Sequence, residues 1–360
     1  MDDIRLVLIG TGQNMMGHIR SLVHIDGVRI VGLADVDEES LARAAEAVGH
    51  EVRTFTDYRA LLDGTPADAC FIAVPNYLHR QVTCDCLDAG LHTLCEKPMA
   101  TSTDDCDAMI AAADQSNRIL QVGLSCRFSR IDSKAHELVA SGVIGEPKMI
   151  WCREFRAPFA KKYRDWILDS DRSGGTLLEK TCHHFDLFNW FAGADATRVY
   201  ASGAPDWVYR EAGKHADRKD QGAKVDIIDN AFVTVDYDSG LRANLGLCMF
   251  APRGRKFEFG IQGTEGAVVY YRLEFRVVLY DEANPRDGRD ISIEIPEREM
   301  GWSHHGQAYL EQLYFLDCVR EGRKPEVDGY VGKRAVEISL AAEQSIKDGG
   351  PVVIHATTLP

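Results

Sequence analysis

Two kinds of apolar pattern alternate along the first third of the chain. Short continuous apolar runs rich in branched residues, typical of buried parallel strands, cover residues 4–9, 28–34, 70–74 and 91–95. Segments with helical periodicity lie between them, at residues 40–48, 58–62 and 79–89. This strand–helix alternation predicts a doubly wound parallel sheet of the Rossmann type.

The pattern changes after residue 124. Residues 131–141, 174–193, 306–320 and 332–347 have helical patterns, whereas 148–155 is extended. Further strand-like runs cover 198–204, 226–237, 241–250, 256–262, 267–271, 275–280 and 291–295. Turn signals at 237–240 and 263–266 join neighbouring strands directly, which indicates a mainly antiparallel sheet. We therefore predict an α/β dinucleotide-binding domain at 1–124 and an α+β domain with a large open sheet at 125–360.

Charge and composition narrow the class of partner. The chain has 360 residues, and 55 acidic residues against 41 basic ones give a formal net charge of -14. This balance argues against nucleic acid or an anionic membrane surface as partner. The sequence lacks the roughly 20-residue apolar run of a membrane span, and its acidic start is unlike a secretory signal. The ten cysteines include no C-x-x-C pair, so we expect reduced thiols and a cytoplasmic protein.

A glycine turn follows the first strand. Gly10 and Gly12 allow a sharp turn and close backbone approach to a pyrophosphate at a helix N-terminus. Gln13 and Asn14 open that helix, and Met15 occupies the position of the third glycine in G-x-G-x-x-G. The turn alone is weak evidence, because any tight strand-to-helix connection can use two glycines.

Asp35 strengthens the dinucleotide interpretation. It ends the second strand, 25 residues after Gly10, where Rossmann domains place an acid that binds the adenosine ribose hydroxyls. A carboxylate there would repel the 2′-phosphate of NADP, so we expect NAD as cofactor.

Polar residues follow two later strands, at the sheet edge where such folds bind ligands. Pro75, Asn76 and His79 follow the third strand-like run, and Glu96 with Lys97–Pro98 follows the next. A Lys–Pro peptide can be cis. Desolvation at a buried strand end would disfavour the charged form of Lys97 and suit it to proton donation, although a surface loop lysine is the plain alternative.

The segment 174–186 carries the candidate proton-transfer group. Two glycines allow a tight entry into a helix, on which Glu179, His183 and Asp186 would form one stripe at i, i+4 and i+7. A carboxylate one turn before a histidine can orient the ring and raise its basicity. A solvated helix edge with a satisfied histidine is the alternative.

Together these motifs resemble the glucose–fructose oxidoreductase, inositol dehydrogenase and MocA family. The resemblance rests on the glycine turn with His18 after it, Pro75-Asn76-x-x-His79, Glu96-Lys97-Pro98 and the segment 174–186. It implies that Lys97, Glu179 and His183 are catalytic. It also implies a C-terminal α/β domain whose open sheet face makes a homodimer or homotetramer. Two departures from the family pattern are Met15 and Glu179, which replaces the usual aspartate beside Lys180.

Basic residues cluster at 153–164 in this acidic protein, in a region that the family places beside the substrate. We hypothesise that some of them bind an anionic substrate group, since arginine forks suit carboxylates and phosphates. A solvated charge run is the alternative. The substrate-contacting candidates are Lys97, Arg127, Arg156, Tyr163, Lys180 and His183.

A metal site was the remaining alternative for Cys182, His183, His184 and Asp186. Adjacent histidines point in different directions on a helix, and the ligand spacing of structural zinc is absent, so we expect no metal.

The sequence thus predicts an NAD-dependent dehydrogenase acting on a secondary alcohol of a sugar, cyclitol or related polyol. His183 would take the hydroxyl proton, and Lys97 would stabilise charge on the same oxygen. An NAD-requiring glycoside hydrolase, working by transient oxidation and elimination, would use the same residues. A non-enzymatic NAD-binding regulator is the third possibility, and the carboxylate–histidine stripe with Lys97 argues against it.

Overall fold

The structure is a computed structural model that describes residues 3–159, 165–209, 224–251, 253–296 and 306–355. The chain forms two compact units. The first comprises Met1–Ser129 and Ile295–Lys333, and the second comprises Arg130–Glu294 and Arg334–Pro360. The division into domains at 124/125 stays a prediction, but residues 306–333 pack with the first unit rather than with the unit that precedes them in sequence.

The first unit contains a six-stranded parallel sheet in the order β3-β2-β1-β4-β5-β6. Its strands are β1 (Ile4–Ile9), β2 (Val28–Ala34), β3 (Arg53–Phe55), β4 (Ala69–Ile72), β5 (His92–Glu96) and β6 (Leu120–Gly123). The strand order reverses between β1 and β4, the kind of switch point at which open α/β sheets bind ligands. The predicted doubly wound sheet is confirmed.

Helices connect these strands and bury their apolar faces on the sheet. They are α1 (Gln13–Leu22), α2 (Glu38–Val48), α3 (Tyr58–Gly64), α4 (His79–Asp88), α5 (Thr103–Ser116) and, from late in the chain, α10 (Gln307–Glu321). Short 3-10 turns lie at Asn76–Leu78 and Ser125–Phe128. Phe71 on β4 packs edge-on against Phe315 of α10, so the late helix completes the core of this unit.

The second unit is built on a nine-stranded sheet in the order β14-β13-β12-β11-β7-β10-β9-β8-β15. Its strands are β7 (Pro147–Phe155), β8 (Ala196–Ala204), β9 (Asn230–Tyr237), β10 (Arg242–Cys248), β11 (Lys256–Gly263), β12 (Ala267–Tyr271), β13 (Arg276–Tyr280), β14 (Arg289–Ile291) and β15 (Val352–Val353). Neighbouring strands run antiparallel except for β7 and β10, which are parallel. The predicted large, mainly antiparallel sheet is confirmed, whereas residues 226–229 and 292–295 lie outside the strands expected to include them.

Within the described residues, five helices accompany this sheet. They are α6 (Arg130–Ala140), α7 (Ser170–Ser173), α8 (Thr176–Glu179), α9 (Cys182–Ala192) and α11 (Gly329–Asp348), whose first residues belong to the first unit. A 3-10 turn lies at Asp165–Leu168. Phe188 of α9 packs edge-on against Phe259 of β11, with ring centroids 5.6 Å apart. Among the described residues, no helix is long and apolar enough to span a membrane.

Candidate active site

The glycine turn after β1 leaves the N-terminus of α1 accessible. Gly10 has φ +82°, and a Cβ there would lie 2.6 Å from the carbonyl oxygen of Ala73, so the close approach of the strands requires glycine. At Gly12 a Cβ would meet nothing within 4 Å, and α1 begins there without a side-chain cap. Exposed Gln13 and Asn14 form its first turn. Open space in front of uncapped helix N–H groups fits a dinucleotide pyrophosphate.

Met15 does not obstruct that space. Its side chain is buried in the core of the first unit among residues such as Leu8 and Ile19. Methionine in place of the third glycine therefore changes the packing of the core. It leaves unchanged the surface at the N-terminus of α1.

Asp35 lies beside the glycine turn, as expected for the ribose-binding acid. Its Oδ2 accepts a hydrogen bond from the Thr11 N–H at 2.7 Å, and its Oδ1 accepts from the Asp37 N–H at 2.9 Å. These bonds fix the carboxylate at the carboxyl end of β2. The geometry is compatible with NAD binding, and the ribose contact itself stays a prediction.

Glu96 at the end of β5 anchors the backbone that carries Lys97. Its Oε1 lies 2.7 Å from Nε2 of His18, and its Oε2 accepts from the Lys97 N–H at 3.0 Å. Gln312 Nε2 lies 2.6 Å from Nδ1 of the same histidine. Burial opposes ionisation of Glu96, but the His18 contact and the neighbouring Lys97 lower the pKa of Glu96 below its usual value. Glu96 is therefore an anion that holds the strand end, and Lys97 is half-buried just beyond it.

Two polar residues that follow β4, Asn76 and His79, are buried. Pro75 precedes the 3-10 turn Asn76–Leu78, and Asn76 is buried. The ring nitrogens of His79 contact two backbone carbonyl oxygens, those of Val74 and Pro98, and the Lys97–Pro98 peptide is cis. A direct cofactor contact by any of these residues stays a prediction.

The single helix expected over 174–193 is wrong. Gly174 and Gly175, with φ +83° and +86°, do make the tight entry, and Gly193 ends the segment as predicted. Between them, however, α8 ends at Glu179 and α9 begins at Cys182. The Thr181 hydroxyl donates to the Leu177 carbonyl at 2.6 Å, occupying an acceptor of the helical ladder near the break.

Glu179 and His183 therefore lie on two different helices. The regular i, i+4 stacking predicted for them does not apply. Glu179 and Asp186 are buried, and His183 in the first turn of α9 is partly exposed. Partial exposure suits a group that must reach a substrate.

A charged cluster that sequence reasoning missed lies under this segment. Oε2 of Glu154 on β7 is 2.6 Å from Nε2 of His184, a contact too poorly aligned to count as a hydrogen bond. Its Oε1 lies 3.2 Å from Nζ of Lys180 and 3.4 Å from a terminal guanidinium nitrogen of Arg156. We call Glu154, Arg156, Lys180 and His184 the Glu154 cluster. In this cluster one carboxylate lies beside two cations. The side chain of Lys180 is 20% exposed and that of Arg156 is 30% exposed.

The cluster fixes the charges of its buried members. Burial opposes ionisation of Glu154, but Lys180, His184 and Arg156 hold the pKa of Glu154 far below its usual range. Burial lowers the pKa of His184, with Lys180 adding to the effect, even though Glu154 opposes it. At neutral pH the cluster therefore contains an ionised glutamate, two cations and a neutral histidine.

A second missed carboxyl group supports the entry to α8. Glu343 of α11 accepts a hydrogen bond from the Leu177 N–H at 3.2 Å. A Cβ on Gly175 would lie 2.5 Å from Oε1 of Glu343, so the carboxyl packs directly on the glycine backbone. Burial raises the pKa of Glu343 to about 7.

The described part of the basic stretch, residues 153–159, does not form one surface. On β7, Glu154 alternates with Arg153, so their side chains point to opposite faces of the sheet. Arg153 contacts Asn244 on β10, whereas Arg156 joins the Glu154 cluster. Arg127 belongs to the first unit, where its charge lowers the pKa of Asp328, although burial raises that pKa more strongly. Tyr163 lies outside the described residues.

Among the described residues, no group of three or more histidine, cysteine, aspartate or glutamate side chains could hold a metal ion. His184, one of the candidate ligands, is committed to the Glu154 cluster.

Comparison with known proteins decides the family. Residues 4–124 match the model described as the oxidoreductase family, NAD-binding Rossmann fold, and residues 136–354 match the C-terminal α/β domain of the same family. The chain belongs to the GFO/IDH/MocA oxidoreductase family. This membership makes it an NAD-dependent oxidoreductase, and it agrees with the open glycine turn and with Asp35.

Relatives within the GFO/IDH/MocA family span almost the whole chain. A myo-inositol 2-dehydrogenase of Thermotoga maritima is 28% identical over 347 residues, covering 96% of this chain and 97% of that protein. The scyllo-inositol 2-dehydrogenase (NAD(+)) of Bacillus subtilis is 25% identical over 351 residues, covering 97% and 96%. The crystal structure of myo-inositol 2-dehydrogenase from Lactobacillus plantarum has a TM-score of 0.79 and 26% identity, covering 98% of this chain and 100% of that one.

Proposed function

We propose that this oxidoreductase transfers a hydride between NAD and a secondary alcohol carbon of a cyclitol or sugar. The observation that carries the proposal is the near full-length similarity to two inositol 2-dehydrogenases. The family resemblance supports Lys97, which follows β5, and His183, in the first turn of α9, as catalytic residues. The similar proteins are named dehydrogenases, so the glycoside hydrolase alternative is not favoured.

The chain's residues would manage the proton. When bound, NAD supplies the acceptor for the hydride that leaves the substrate carbon. His183 takes the proton from the hydroxyl on that carbon, and the C–O single bond becomes the C=O bond of a ketone. Lys97 hydrogen-bonds the same oxygen and stabilises the negative charge that develops there. The family resemblance assigns Glu179, at the end of α8, to the same catalytic group.

The Glu154 cluster would bind the rest of the substrate. Lys180 and Arg156 are partly exposed donors whose positions are fixed by the ionised Glu154. Fixed donors can bind the several hydroxyls of a polyol, and their charge would also accept a carboxylate or phosphate. Arg127 and Tyr163 remain candidate substrate contacts from the sequence. Comparing inositols with uronic acids as substrates decides whether an anionic group is required.

Steady-state kinetics test the assignment. His183→Ala should lower kcat by about 10²–10⁴-fold, because a positioned acid–base group contributes that much. Lys97→Met should lower kcat by roughly 10²–10³-fold, because it removes a donor to the reacting oxygen. Both variants should retain the wild-type dissociation constant for NADH.

Matched controls separate catalysis from general damage. His24→Ala, in the turn after α1, and Lys134→Met, on α6, change a histidine and a lysine outside the proposed site, and both should keep wild-type turnover. A near-wild-type rate in His183→Ala or Lys97→Met would remove that residue from the mechanism.

We also propose a cytoplasmic homo-oligomer. All ten cysteines are free, as in a reducing compartment. The large side chains Met149, Tyr200 and Phe232 are 58%, 50% and 61% exposed on strands of the nine-stranded sheet. Light scattering should find a dimer or tetramer that Phe232→Glu weakens, and a monomeric wild type would contradict the proposal.

A further inference from the structure

His79, the first residue of α4, is a buried histidine whose two ring nitrogens both face oxygen atoms. Nδ1 lies 2.7 Å from the Pro98 carbonyl oxygen, and Nε2 lies 2.9 Å from the Val74 carbonyl oxygen. The residue is 1% exposed. Both contacts have ordinary hydrogen-bond length.

These contacts determine the number of hydrogens on the ring. A backbone carbonyl can only accept, and a neutral imidazole has one N–H donor and one acceptor nitrogen. A neutral His79 would therefore point a lone pair at a carbonyl oxygen in a buried place, which is costly. Only the imidazolium ion donates to both carbonyls.

The groups around His79 can stabilise a positive charge on its ring. Burial favours the neutral ring, but the sulfur of Cys95 on β5 and the two carbonyl groups outweigh it and raise the pKa of His79 to about 9. Among the described residues, Cys95 is the titratable side chain with the largest effect on this pKa. The other contacts come from backbone carbonyls after β4 and β5.

The two carbonyls belong to the two backbone segments that form the candidate site of this unit. Val74 follows β4, where its N–H would lie 2.9 Å from a Cβ on Gly10, so it adjoins the glycine turn. Pro98 directly follows Lys97. One ring thus ties the strand end beside the cofactor turn to the loop that carries the candidate catalytic lysine.

We propose that His79 is an imidazolium ion at neutral pH and a positioning residue that holds the Lys97 loop against the end of β4. The positioning part rests on the proposed role of Lys97. The protonation part does not.

Ring-nitrogen NMR of the full-length protein, labelled with ¹⁵N-histidine, tests the protonation. At pH 7 both His79 nitrogens should carry hydrogen, and both should lose the cationic signature only as pH rises through about 9. His92 in the same unit is an internal control. Its Nδ1 accepts from the Ile119 N–H at 3.1 Å, and burial lowers its pKa, so it should be neutral at pH 7. A neutral His79 at pH 7 would overturn the proposal.

Two variants assign the signal and test the positioning. His79→Gln should remove the cationic signal. Should that variant not fold, Cys95→Ala identifies the resonance, because removing the sulfur should lower the titration midpoint of His79 and leave that of His92 unchanged. If the titration midpoint of His79 is unchanged in Cys95→Ala, the proposed stabilisation of the His79 charge is overturned.

Turnover provides the positioning readout. In Cys95→Ala the fall of kcat at alkaline pH should occur at lower pH than in the wild type, by the same shift as the His79 titration. The KM for NAD should change little. If the His79 titration moves but the fall of kcat at alkaline pH does not, the positioning role is overturned. If the wild type oxidises no polyol, the proposed function fails, and the NMR result together with amide exchange at Lys97 and Met99 in His79→Gln still decides the proposal for His79. Unchanged exchange there would contradict it.

Discussion

Glu154 is the buried anion that holds Lys180 and Arg156 in the Glu154 cluster. It stands between Arg153 and Arg156 and resembles part of a solvated run of charge. The signal that could have identified it is its place two residues after Cys152 on the buried face of β7. Its partners, Lys180 and His184, come from a segment about thirty residues later, and sequence periodicity cannot reveal such a pairing.

Glu154→Gln should destabilise the protein and weaken substrate binding. The neutral amide leaves Lys180 and Arg156 without their carboxylate, at a cost of about 2 kcal/mol in the free energy of unfolding. KM for the polyol should rise because Lys180 is no longer fixed. Urea unfolding at pH 7 and steady-state kinetics measure the two effects.

The same variant should change the acid stability. The pKa of Glu154 is depressed, so its stabilising contribution is present above the usual glutamate pKa and is lost as pH falls below it. Below pH ~4.5 the free energy of unfolding of Glu154→Gln should therefore fall less steeply with decreasing pH than that of the wild type. Glu146→Gln, which breaks the exposed pair with Lys148, is the control and should change little. Equal behaviour of the two variants would show that the Glu154 cluster is energetically unimportant.

Glu343 should give the opposite pH dependence. Because its pKa is raised to about 7, the stability linked to its protonated form is complete below pH ~4.5 and lost as pH rises through 7. Glu343→Gln cannot ionise but can still accept from the Leu177 N–H. It should be more stable than wild type at pH 8 by about 3 kcal/mol and similar at pH 4.5.

Thermal unfolding at several pH values measures this difference. Glu46→Gln, an exposed glutamate on α2, is the control and should follow the wild type throughout. A constant gap between Glu343→Gln and wild type from pH 4.5 to 8 would show that Glu343 does not titrate in this range.

At the scale of elements, apolar periodicity located the helix and its glycine ends but missed its interruption. Leu178, Cys182 and Phe185 are all buried, as the helical pattern predicts. The break depends on Thr181, whose hydroxyl bonds to the Leu177 carbonyl. Threonine can make this bond or leave it unmade within a helix, so its identity alone does not predict an interruption.

Gly175→Ala should disrupt the entry to α8. The residue has φ +86°, and the new Cβ would meet the Glu343 carboxylate at 2.5 Å. We expect a loss of about 2–3 kcal/mol in stability and a lower kcat. Gly193→Ala is the matched control, because Gly193 also has positive φ but open space around it, and it should cost only about 1 kcal/mol. Equal costs would mean that the contact with Glu343 does not constrain this turn.

At the scale of the whole molecule, both sheets were predictable because local patterns specify parallel and antiparallel strands separately. The packing of residues 306–333 with the first unit was not predictable. Gln312 reaches His18 across 294 positions of sequence, and Phe315 completes the core beside Phe71. Neither residue carries a local signal of its distant partner.

The central claim is that this chain oxidises a secondary alcohol of a cyclitol or sugar with NAD and retains the product as a ketone. Incubation of the enzyme and NAD with inositols or hexoses deuterated at single hydroxyl-bearing carbons tests it most directly. We predict net formation of deuterated NADH from one labelled position, a matching amount of ketone, and loss of both in His183→Ala. Aglycone release from glycosides without net NADH, or no transfer of deuterium from any position, would contradict the claim.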